Sequence, residues 1–451
     1  MRCLLLVAML LTTSLGCAVD PAPVYLDKAA MLSPETCKDC HQAHYEEWSG
    51  SMHAYASKDP IFRAMNARGQ RETDGELGDF CVQCHAPVAL QLGLTTDGLN
   101  LDEVPDYAQG VTCFFCHSVE KVQGTHNNPL SLAEDLVMRG GYKDPTPNSA
   151  HASAYSPLLD RDNIQSADLC GSCHDIKLPN GVHLERTYAE WKDSLYAHQE
   201  PDQQQTCGNC HMAGRNDVAA DVDGVPLRRV HDHKMVGVDT ALLPFPQIEA
   251  QMTQVQRELD SSVFPELCVY EKDGETTIRV TLENLAAGHS WPSGAAMDRR
   301  AWVEVVAYNE ADEVIFQSGV VPEGTAVSSL DDDNLWELRD RGFKKNGEEA
   351  HFFWEVETLE SELLPAPSAL FPWDPDYVDT HRYRDYVFES EKPVRATMRV
   401  QIRAVNLDLI DDLIASGDLD PSYRDKIPTF TLKFTNVEWR AAMSKTCIPD
   451  S

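Results

Sequence analysis

The sequence predicts an α+β protein, in which a mostly helical and coil N-terminal domain is followed by an antiparallel β-sandwich domain. Two patterns support this prediction. The motif Cys-x-x-Cys-His occurs five times, always before Met212, and apolar and polar residues alternate in several segments beyond Pro265. A chain of 451 residues is long enough for two domains. We therefore expect the two patterns to occupy different domains.

The five motifs are typical of covalent haem attachment. Two thiols two residues apart can add across the haem vinyl groups, and the adjacent imidazole can ligate the iron. The composition gives only about 0.015 chance matches to this motif in a chain of this length. The sequence thus predicts five haem c groups, held by Cys37, Cys40 and His41; Cys81, Cys84 and His85; Cys113, Cys116 and His117; Cys170, Cys173 and His174; and Cys207, Cys210 and His211.

The same patterns predict the domain boundaries. We expect a pentahaem domain over 34–240 and a sandwich domain over 264–447, joined by an amphipathic helix over 247–263. Each motif is expected on a short helix. The intervals between motifs are too short to bury an ordinary aliphatic core, so the haem macrocycles would supply most of the apolar mass of the first domain.

Period-two alternation predicts the strands of the sandwich, at 277–282, 397–402 and 429–434. Two further segments, 302–306 and 314–316, flank a polar turn and are typical of a hairpin. An acidic and aromatic insertion near 328–392 is expected to separate the two halves of the domain. Cys268 and Cys447 lie near its two ends, and either a disulfide or two separate thiols would fit there.

The N-terminus indicates export. Arg2 precedes an apolar run over 4–11, which fits a signal peptide and is too short to span a bilayer. Small residues precede Cys17 as in a bacterial lipobox. We therefore expect a lipoprotein-type signal peptide over 1–17, a tether over 18–33 and an extracytoplasmic protein in the periplasm or at the outer membrane. Ordinary cleavage without lipidation is the alternative.

The charge narrows the class of partner. A formal net charge of −34 disfavours binding to nucleic acid or anionic lipid, so a lipid anchor would be the only membrane attachment. Such a surface could steer basic partners, or it could serve only to keep the protein soluble.

The chemistry of each iron depends on its second axial ligand. A second imidazole restricts the iron to electron transfer, whereas an open position permits catalysis. Of the 16 histidines, five belong to the motifs, so the other eleven could close every iron. His44 lies one turn after His41 on the same helix and is expected at the surface. Ordinary polar roles are expected for His183, His198, His351 and His381.

The first motif and its surroundings resemble multihaem cytochromes of the cytochrome c-554 type, related to the hydroxylamine-oxidoreductase group. The residues that carry the resemblance are Cys37-x-x-Cys40-His41-x-x-x-Tyr45-x-x-Trp48-x-x-Ser51-x-His53. It continues through 110–113, 155–157 and 187–191 and covers roughly 34–240. In such proteins the histidine of the Ser-x-His pair ligates a haem, which implies that role for His53.

A loop of the second domain is similar to one that some multihaem cytochromes carry on an appended β domain. It runs from Asn284 to Gly294 and contains His289, which in those proteins can reach back to a haem. The expected distal ligands are, in order of support, His53, His289, His151, His233 and His126.

Two classes of function fit these predictions. The first is a pentahaem carrier that transfers electrons between a donor and an acceptor redox protein, with the β domain as a docking or assembly module. Assembly into a conductive filament would share this mechanism. The second is an enzyme acting on a small nitrogen or sulfur species at one open haem. No catalytic residues for such an enzyme are identifiable from the sequence.

Overall fold

The structure is a computed structural model that describes residues 25–199, 203–272, 274–389, 392–442 and 447. The expected signal peptide, the lipid-anchor residue Cys17 and most of the expected tether lie outside these residues. We call 25–242 the haem region and 264–442 the sheet region.

The haem region consists of short helices connected by coil. Its α-helices are Lys28–Leu32, Pro34–Lys38, Gln42–Ser49, Met52–Tyr55, Pro60–Glu72, Val82–His85, Pro87–Gln91, Cys113–Ser118, Ser166–Gly171, Thr187–Lys192, Leu195–His198 and Cys207–His211, with 3₁₀ turns at Leu101–Glu103 and Asp106–Ala108.

Side-chain caps start two of the motif helices directly at the first cysteine. The Thr112 hydroxyl accepts from the Phe115 amide ahead of Cys113–Ser118. Thr206 and Asn209 form a capping box that begins Cys207–His211. The caps fix where each helix starts, so both cysteines and the histidine fall within little more than one turn.

Two-stranded ribbons complete the haem region. The pairs are Val119–Val122 with Leu130–Leu132, Met138–Gly140 with Ser153–Tyr155, Ile176–Lys177 with His183–Glu185, and Gly214–Val218 with Leu227–His231.

The sheet region contains two antiparallel sheets. One has the strand order His381–Phe388, Glu275–Glu283, Phe264–Lys272. The other has the order Val314–Ser318, Arg300–Tyr308, Arg395–Arg403, Phe430–Thr431; Trp336–Leu338 also pairs with Arg300–Tyr308, and Val437–Arg440 with Arg395–Arg403. A hairpin of Asp340–Phe343 with Thr358–Ser361 lies beside them.

Alternating residues of both sheets pack into one hydrophobic core. Buried members from the central strands are Ile278, Val280, Leu282, Val303, Val305, Met398, Val400 and Ile402. This is the packing of a sandwich, in which each strand turns every second side chain inward. The predicted α+β fold class is confirmed, as are the strands at 277–282 and 397–402 and the hairpin.

Two expected elements differ from the structure. The strand predicted at 429–434 ends at Thr431 and continues as a 3₁₀ turn, Lys433–Thr435. The Val400 amide donates to the Thr435 hydroxyl at 2.7 Å, so the chain turns inward at this point and leaves the ladder. The segment 328–392 contributes Trp336–Leu338 to one sheet and His381–Phe388 to the other, so its ends are strands of the sandwich.

Two helices connect the regions. Ile248–Asp260, within the expected 247–263, packs Val255 and Leu259 against the sandwich core. Leu407–Ala415 packs against Pro60–Glu72 of the haem region, and their apolar faces share one buried cluster. The remaining 3₁₀ turns are Val327–Ser329, Phe353–Glu355 and Pro421–Lys426.

A disulfide joins Cys268 to Cys447, which resolves the alternative that the sequence leaves open. None of the helices in the described part of the chain is long and apolar enough to cross a bilayer.

Candidate haem sites and their ligands

Hydrogen bonds orient the motif histidines for metal binding. Four of them donate Nδ1–H to backbone carbonyls: His41 to Ala219 at 2.7 Å, His85 to Ala56 at 3.3 Å, His117 to Arg139 at 2.6 Å and His211 to Val236 at 2.8 Å. A proton held on Nδ1 leaves the Nε2 lone pair free for a metal, which is the usual arrangement of a ligating histidine.

Four motif histidines each face a second imidazole, and the distance between the two ring centres is nearly the same in all four pairs. The ring centres are 6.3 Å apart for His41 and His151, 6.3 Å for His117 and His233, 6.1 Å for His174 and His53, and 6.3 Å for His211 and His289. A metal–imidazole bond of about 2.0 Å, with the ring centre roughly 1.1 Å behind the nitrogen, puts two trans imidazoles about 6.2 Å apart. The gaps therefore fit one iron each.

Burial keeps these imidazoles neutral. Desolvation lowers the pKa of His53 to about 3 and the pKa values of His174 and His289 to about 4. A neutral imidazole offers a lone pair and a protonated one does not, so these sites favour metal coordination at any physiological pH.

His53 is held by contacts on both its backbone and its ring. Its carbonyl accepts from the Val111 amide at 2.8 Å, next to the third motif. Its Nδ1 lies 2.8 Å from the sulfur of Met235. Gly110 has φ +67°, and a Cβ there would lie 2.6 Å from the His53 carbonyl oxygen. Only glycine allows this close approach of the two segments.

His151 and His233 sit on loops that local hydrogen bonds fix. The Asn148 side chain accepts from the His151 amide at 2.9 Å. The Glu47 carboxylate accepts from the His233 amide at 3.2 Å, and the His233 Nδ1 donates to the His231 carbonyl at 3.1 Å. The His151 Nδ1 likewise donates to the Ala152 carbonyl at 3.1 Å, so both rings bind their own loops through Nδ1 and leave Nε2 free.

His44 is half-buried and not at the surface, contrary to expectation. Its ring centre is 4.8 Å from that of His233, and burial lowers its pKa to about 4. Ligand atoms of His44, Glu47 and His233 lie within 4.8 Å of one another. Because the His233 ring faces His117, this group belongs to the surroundings of the third motif.

His289 reaches its partner because the sheet region is fastened to the haem region beside it. Its Nδ1 donates to the Ser290 carbonyl at 2.7 Å. The Glu190 carboxylate on Thr187–Lys192 accepts from the Ser290 amide at 3.2 Å and from the Ser293 hydroxyl at 2.7 Å. Glu190 therefore positions the loop that carries His289. No local sequence pattern indicates this role, although Glu190 lies in the segment 187–191 that carries the resemblance.

The His85 site differs from the other four. Phe62 stacks on the His85 ring with a centre distance of 4.1 Å and an interplanar angle of 2°. Among the described residues, no imidazole faces His85 across an iron-sized gap. His126, the last of the expected ligands, instead has its ring centre 6.0 Å from that of His183. The loop that carries His126 hydrogen-bonds beside the fourth motif, from the Asn127 amide to the Asp175 carbonyl, but the His126 ring faces His183 and no motif histidine.

Half-buried charged groups surround the second and fourth motifs. Desolvation raises the pKa of one of them, Glu185, to about 7. It acts electrostatically on Cys84. Arg299 pairs with Asp239 at 3.1 Å, and Asp239 in turn acts on His85. Glu185, Asp239 and Arg299 thus lie near the His85 site, to which the described part of the chain brings no second imidazole.

Motif cysteines from different attachment sites lie close together. The neighbouring pairs are Cys113 with Cys37, Cys84 with Cys173, and Cys207 with Cys170. Cys116 also lies close enough to Cys170 and Cys173 to interact with them electrostatically. The first motif thus neighbours the third, and the fourth neighbours the second, third and fifth.

Comparison with known proteins agrees with this geometry. Residues 36–118 match the family described as Cytochrome c554 and c-prime. The fold is similar to that of a penta-heme cytochrome c552 from Thermochromatium tepidum, with a TM-score of 0.60 and 20% identity over 89% of this chain and 97% of that one. No curated protein matches the chain.

The structural match covers both regions, and at this identity it establishes the fold. The family match covers the first three motifs, within the segment 34–240 that carries the resemblance. Together they confirm the expected resemblance and haem c as the cofactor. The chain thus resembles the cytochrome c554 family over residues 36–118, and it shares the fold of a penta-heme c-type cytochrome over most of its length.

Proposed function

We propose that the protein carries electrons between two extracytoplasmic redox proteins through five covalently bound haems. The observation that supports this most is the set of four facing imidazole pairs. In the proposal His151, His233, His53 and His289 are the second ligands opposite His41, His117, His174 and His211. Irons closed in this way exchange electrons and bind no substrate.

Contacts between the motifs support a continuous path. The first and third motifs form one pair, and the fourth motif lies next to the second, third and fifth. Bound haem c supplies the electron-accepting iron. The chain's own contribution is to hold the ligands rigidly, bury them and keep them neutral. The fourth motif would be the junction from which the second and fifth branch.

Location and partners follow from the class of protein. Cytochromes c of this type are extracytoplasmic. In the proposal Cys17 carries a lipid that tethers the chain to a membrane, and the acidic surface attracts basic donor or acceptor proteins. Palmitate labelling of cells expressing the wild type and Cys17→Ala would test the tether. Loss of label from the variant is expected, and equal labelling would refute the tether.

The ligand assignment can be tested by electron paramagnetic resonance of the oxidised holoprotein. His53→Ala should convert one low-spin haem to high-spin, because no second imidazole then faces His174. His126→Ala is the matched control and should leave the spectrum unchanged. An unchanged spectrum for His53→Ala would show that another residue holds that position.

A second candidate function concerns the His85 site, where no described imidazole provides the second ligand. An open iron there could act on a small nitrogen or sulfur species. Glu185 would hold and donate a proton, and Arg299 would stabilise negative charge. Titration with nitrite or hydroxylamine tests this candidate. Binding to one haem per chain would support it, and an optical spectrum without change would exclude it.

A further inference from the structure

One loop of the sheet region holds large apolar side chains in water. Leu370 is 70% exposed, Phe371 51% and Trp373 79%. The Phe371 and Trp373 rings stack with centres 4.8 Å apart and an interplanar angle of 9°. Contiguous exposed apolar groups of this size commonly mark an interaction site. We call residues 367–378 the aromatic loop.

The aromatic loop is ordered by its own hydrogen bonds. The Ser368 hydroxyl accepts from the Val378 amide at 2.8 Å and donates to the Asp376 carbonyl, which closes the loop. Within it, the Asp374 amide donates to the Phe371 carbonyl at 3.0 Å. Pro372 and Pro375 restrict the backbone further. The exposed rings are therefore presented by a preorganised turn.

The aromatic loop is attached beside the fifth haem-attachment motif. The Pro367 carbonyl accepts from the amide of Leu195 at 2.7 Å, at the start of the helix Leu195–His198. The Tyr196 carbonyl then accepts from the Gln205 amide at 3.0 Å, one residue before the cap of Cys207–His211. Cys210 in that helix is an exposed thiol. A partner seated on the aromatic loop would thus lie next to the fifth haem.

The chain segment that contains the aromatic loop is acidic. The segment 346–381 contains nine Asp and Glu residues and no Lys or Arg. Asp374, Asp376 and Asp379 flank the rings and are exposed. The first basic residue after the segment, Arg382, donates to the Asp379 carbonyl at 2.8 Å. An aromatic centre with an acidic rim complements a surface with an apolar centre and a basic rim.

We propose that the aromatic loop is the docking site for a basic redox protein that exchanges electrons with the fifth haem. The proposal rests on the electron-carrier function and assigns it a surface and a partner chemistry. The stacked rings are the anchor, because buried aromatic side chains carry most of the binding energy of small interfaces. The carboxylates steer the partner and set its orientation.

Stopped-flow kinetics of the holoprotein test the proposal. Mitochondrial cytochrome c serves as the basic probe, and a small ruthenium complex serves as an oxidant that needs no docking. The double variant Phe371→Ala with Trp373→Ala should lower the second-order rate with the basic cytochrome at least about 10-fold, while the rate with the ruthenium complex stays unchanged. Phe434→Ala is the matched control, because that ring is 63% exposed and lies outside the aromatic loop.

A second double variant separates the anchoring role of the aromatic rings from the steering role of the carboxylates. Asp374→Asn with Asp376→Asn should slow the reaction at low ionic strength and have little effect at high salt, since exposed charges are then screened. Equal rates for the wild type and the aromatic double variant with the basic cytochrome would overturn the proposal.

Evidence for either of two other occupants of the aromatic loop would also overturn the proposal. In the first case sedimentation shows a wild-type dimer that the aromatic double variant converts to monomer, so a second copy covers the aromatic loop. In the second case the wild type, but not the variant, binds phosphatidylcholine vesicles. Failure of the carrier function itself would be visible separately, because the wild type would then fail to reduce the ruthenium complex.

Discussion

In the sheet region, apolar side chains from both sheets and from the helix Ile248–Asp260 form one continuous hydrophobic core. The haem region divides its buried apolar residues among several smaller clusters. Its most regular feature is the set of paired imidazoles with iron-sized gaps between them. One region is thus packed around its own side chains, and the other is built around a cofactor.

The two regions also differ in what they bury. In the sheet region the buried charged side chains, such as Arg300 and Arg403, lie outside the apolar core, whereas in the haem region ionisable groups such as Glu185 and His53 lie partly buried among the motifs. Burying such groups is costly unless a partner compensates. We therefore expect haem attachment and folding to be coupled in the haem region and independent in the sheet region. Four experiments test this difference, in order of decreasing effect.

Preventing haem attachment should have the largest effect. Without haem, the helices of the haem region are too short to be stable on their own, whereas the sandwich keeps its core. We expect hydrogen exchange of the apoprotein to show protection over 264–440 and little protection over 25–242. Equal protection of the two regions would refute the comparison.

Truncation in the sandwich core should destabilise the sheet region alone. Ile278 is fully buried, so Ile278→Ala should cost about 2–5 kcal/mol of unfolding free energy. The optical spectrum of the haems should stay that of the wild type. Val314→Ala is the control, since Val314 is 51% exposed and its loss should have little effect on denaturant unfolding. A high-spin signal in Ile278→Ala would mean that the haem sites depend on this core.

The half-buried carboxyl of the haem region should make stability depend on pH. Burial raises the pKa of Glu185 to about 7, above its unfolded value of about 4.3. The stability that this group contributes is therefore complete below about pH 4.3 and is lost as the pH rises through 7. Glu185→Gln, which stays neutral, should lack this loss and gain up to about 3 kcal/mol over the wild type between pH 5 and pH 9. Thermal unfolding of both proteins across this range provides the measurement, and parallel pH profiles would contradict the assignment.

The junction between the regions should give the smallest effect. Glu190→Ala removes the acceptor of the Ser290 amide and the Ser293 hydroxyl. Leaving these donors unpaired should destabilise the folded position of the loop that carries His289 by about 1–3 kcal/mol. Part of the fifth haem should then become high-spin. Glu190→Gln keeps an acceptor oxygen and should retain the low-spin signal.

Asp340→Asn is the matched control for Glu190→Ala. Asp340 pairs with Arg186 at 3.0 Å across the same junction but does not contact the His289 loop. If this variant produced the same high-spin signal, general loosening of the junction would explain the result, and Glu190 would have no specific positioning role.

Local patterns predicted a large part of this molecule. The attachment motifs lie at helix ends or on short helices, and the alternating segments at 277–282 and 397–402 are central strands. The strand at 429–434 was overestimated, because the inward turn at Thr435 depends on a hydrogen bond to Val400. The segment 328–392 was expected to be an insertion, although its ends pair with strands distant in the sequence.

The second ligands show the limit of sequence reasoning most clearly. Abundant histidines suggested that every iron could be closed, yet the described part of the chain offers no facing imidazole to His85. Phe62 stacks on that ring, and His126 lies beside His183. No local pattern distinguishes a histidine that faces an iron from one that faces another loop.

The sequence alone predicted the cofactor and its attachment points, because two closely spaced thiols can form thioether bonds to the haem vinyl groups and the adjacent imidazole can ligate the iron. It also determined the alternation of the sandwich strands, which depends only on the pleat of the backbone. The pairing of the histidines follows from the tertiary structure. The imidazoles that face His174 and His211 lie 121 and 78 positions from them along the chain. Packing between elements brings residues so far apart in sequence together. The distance between the facing imidazoles, which fits one iron, is therefore a property of the whole fold.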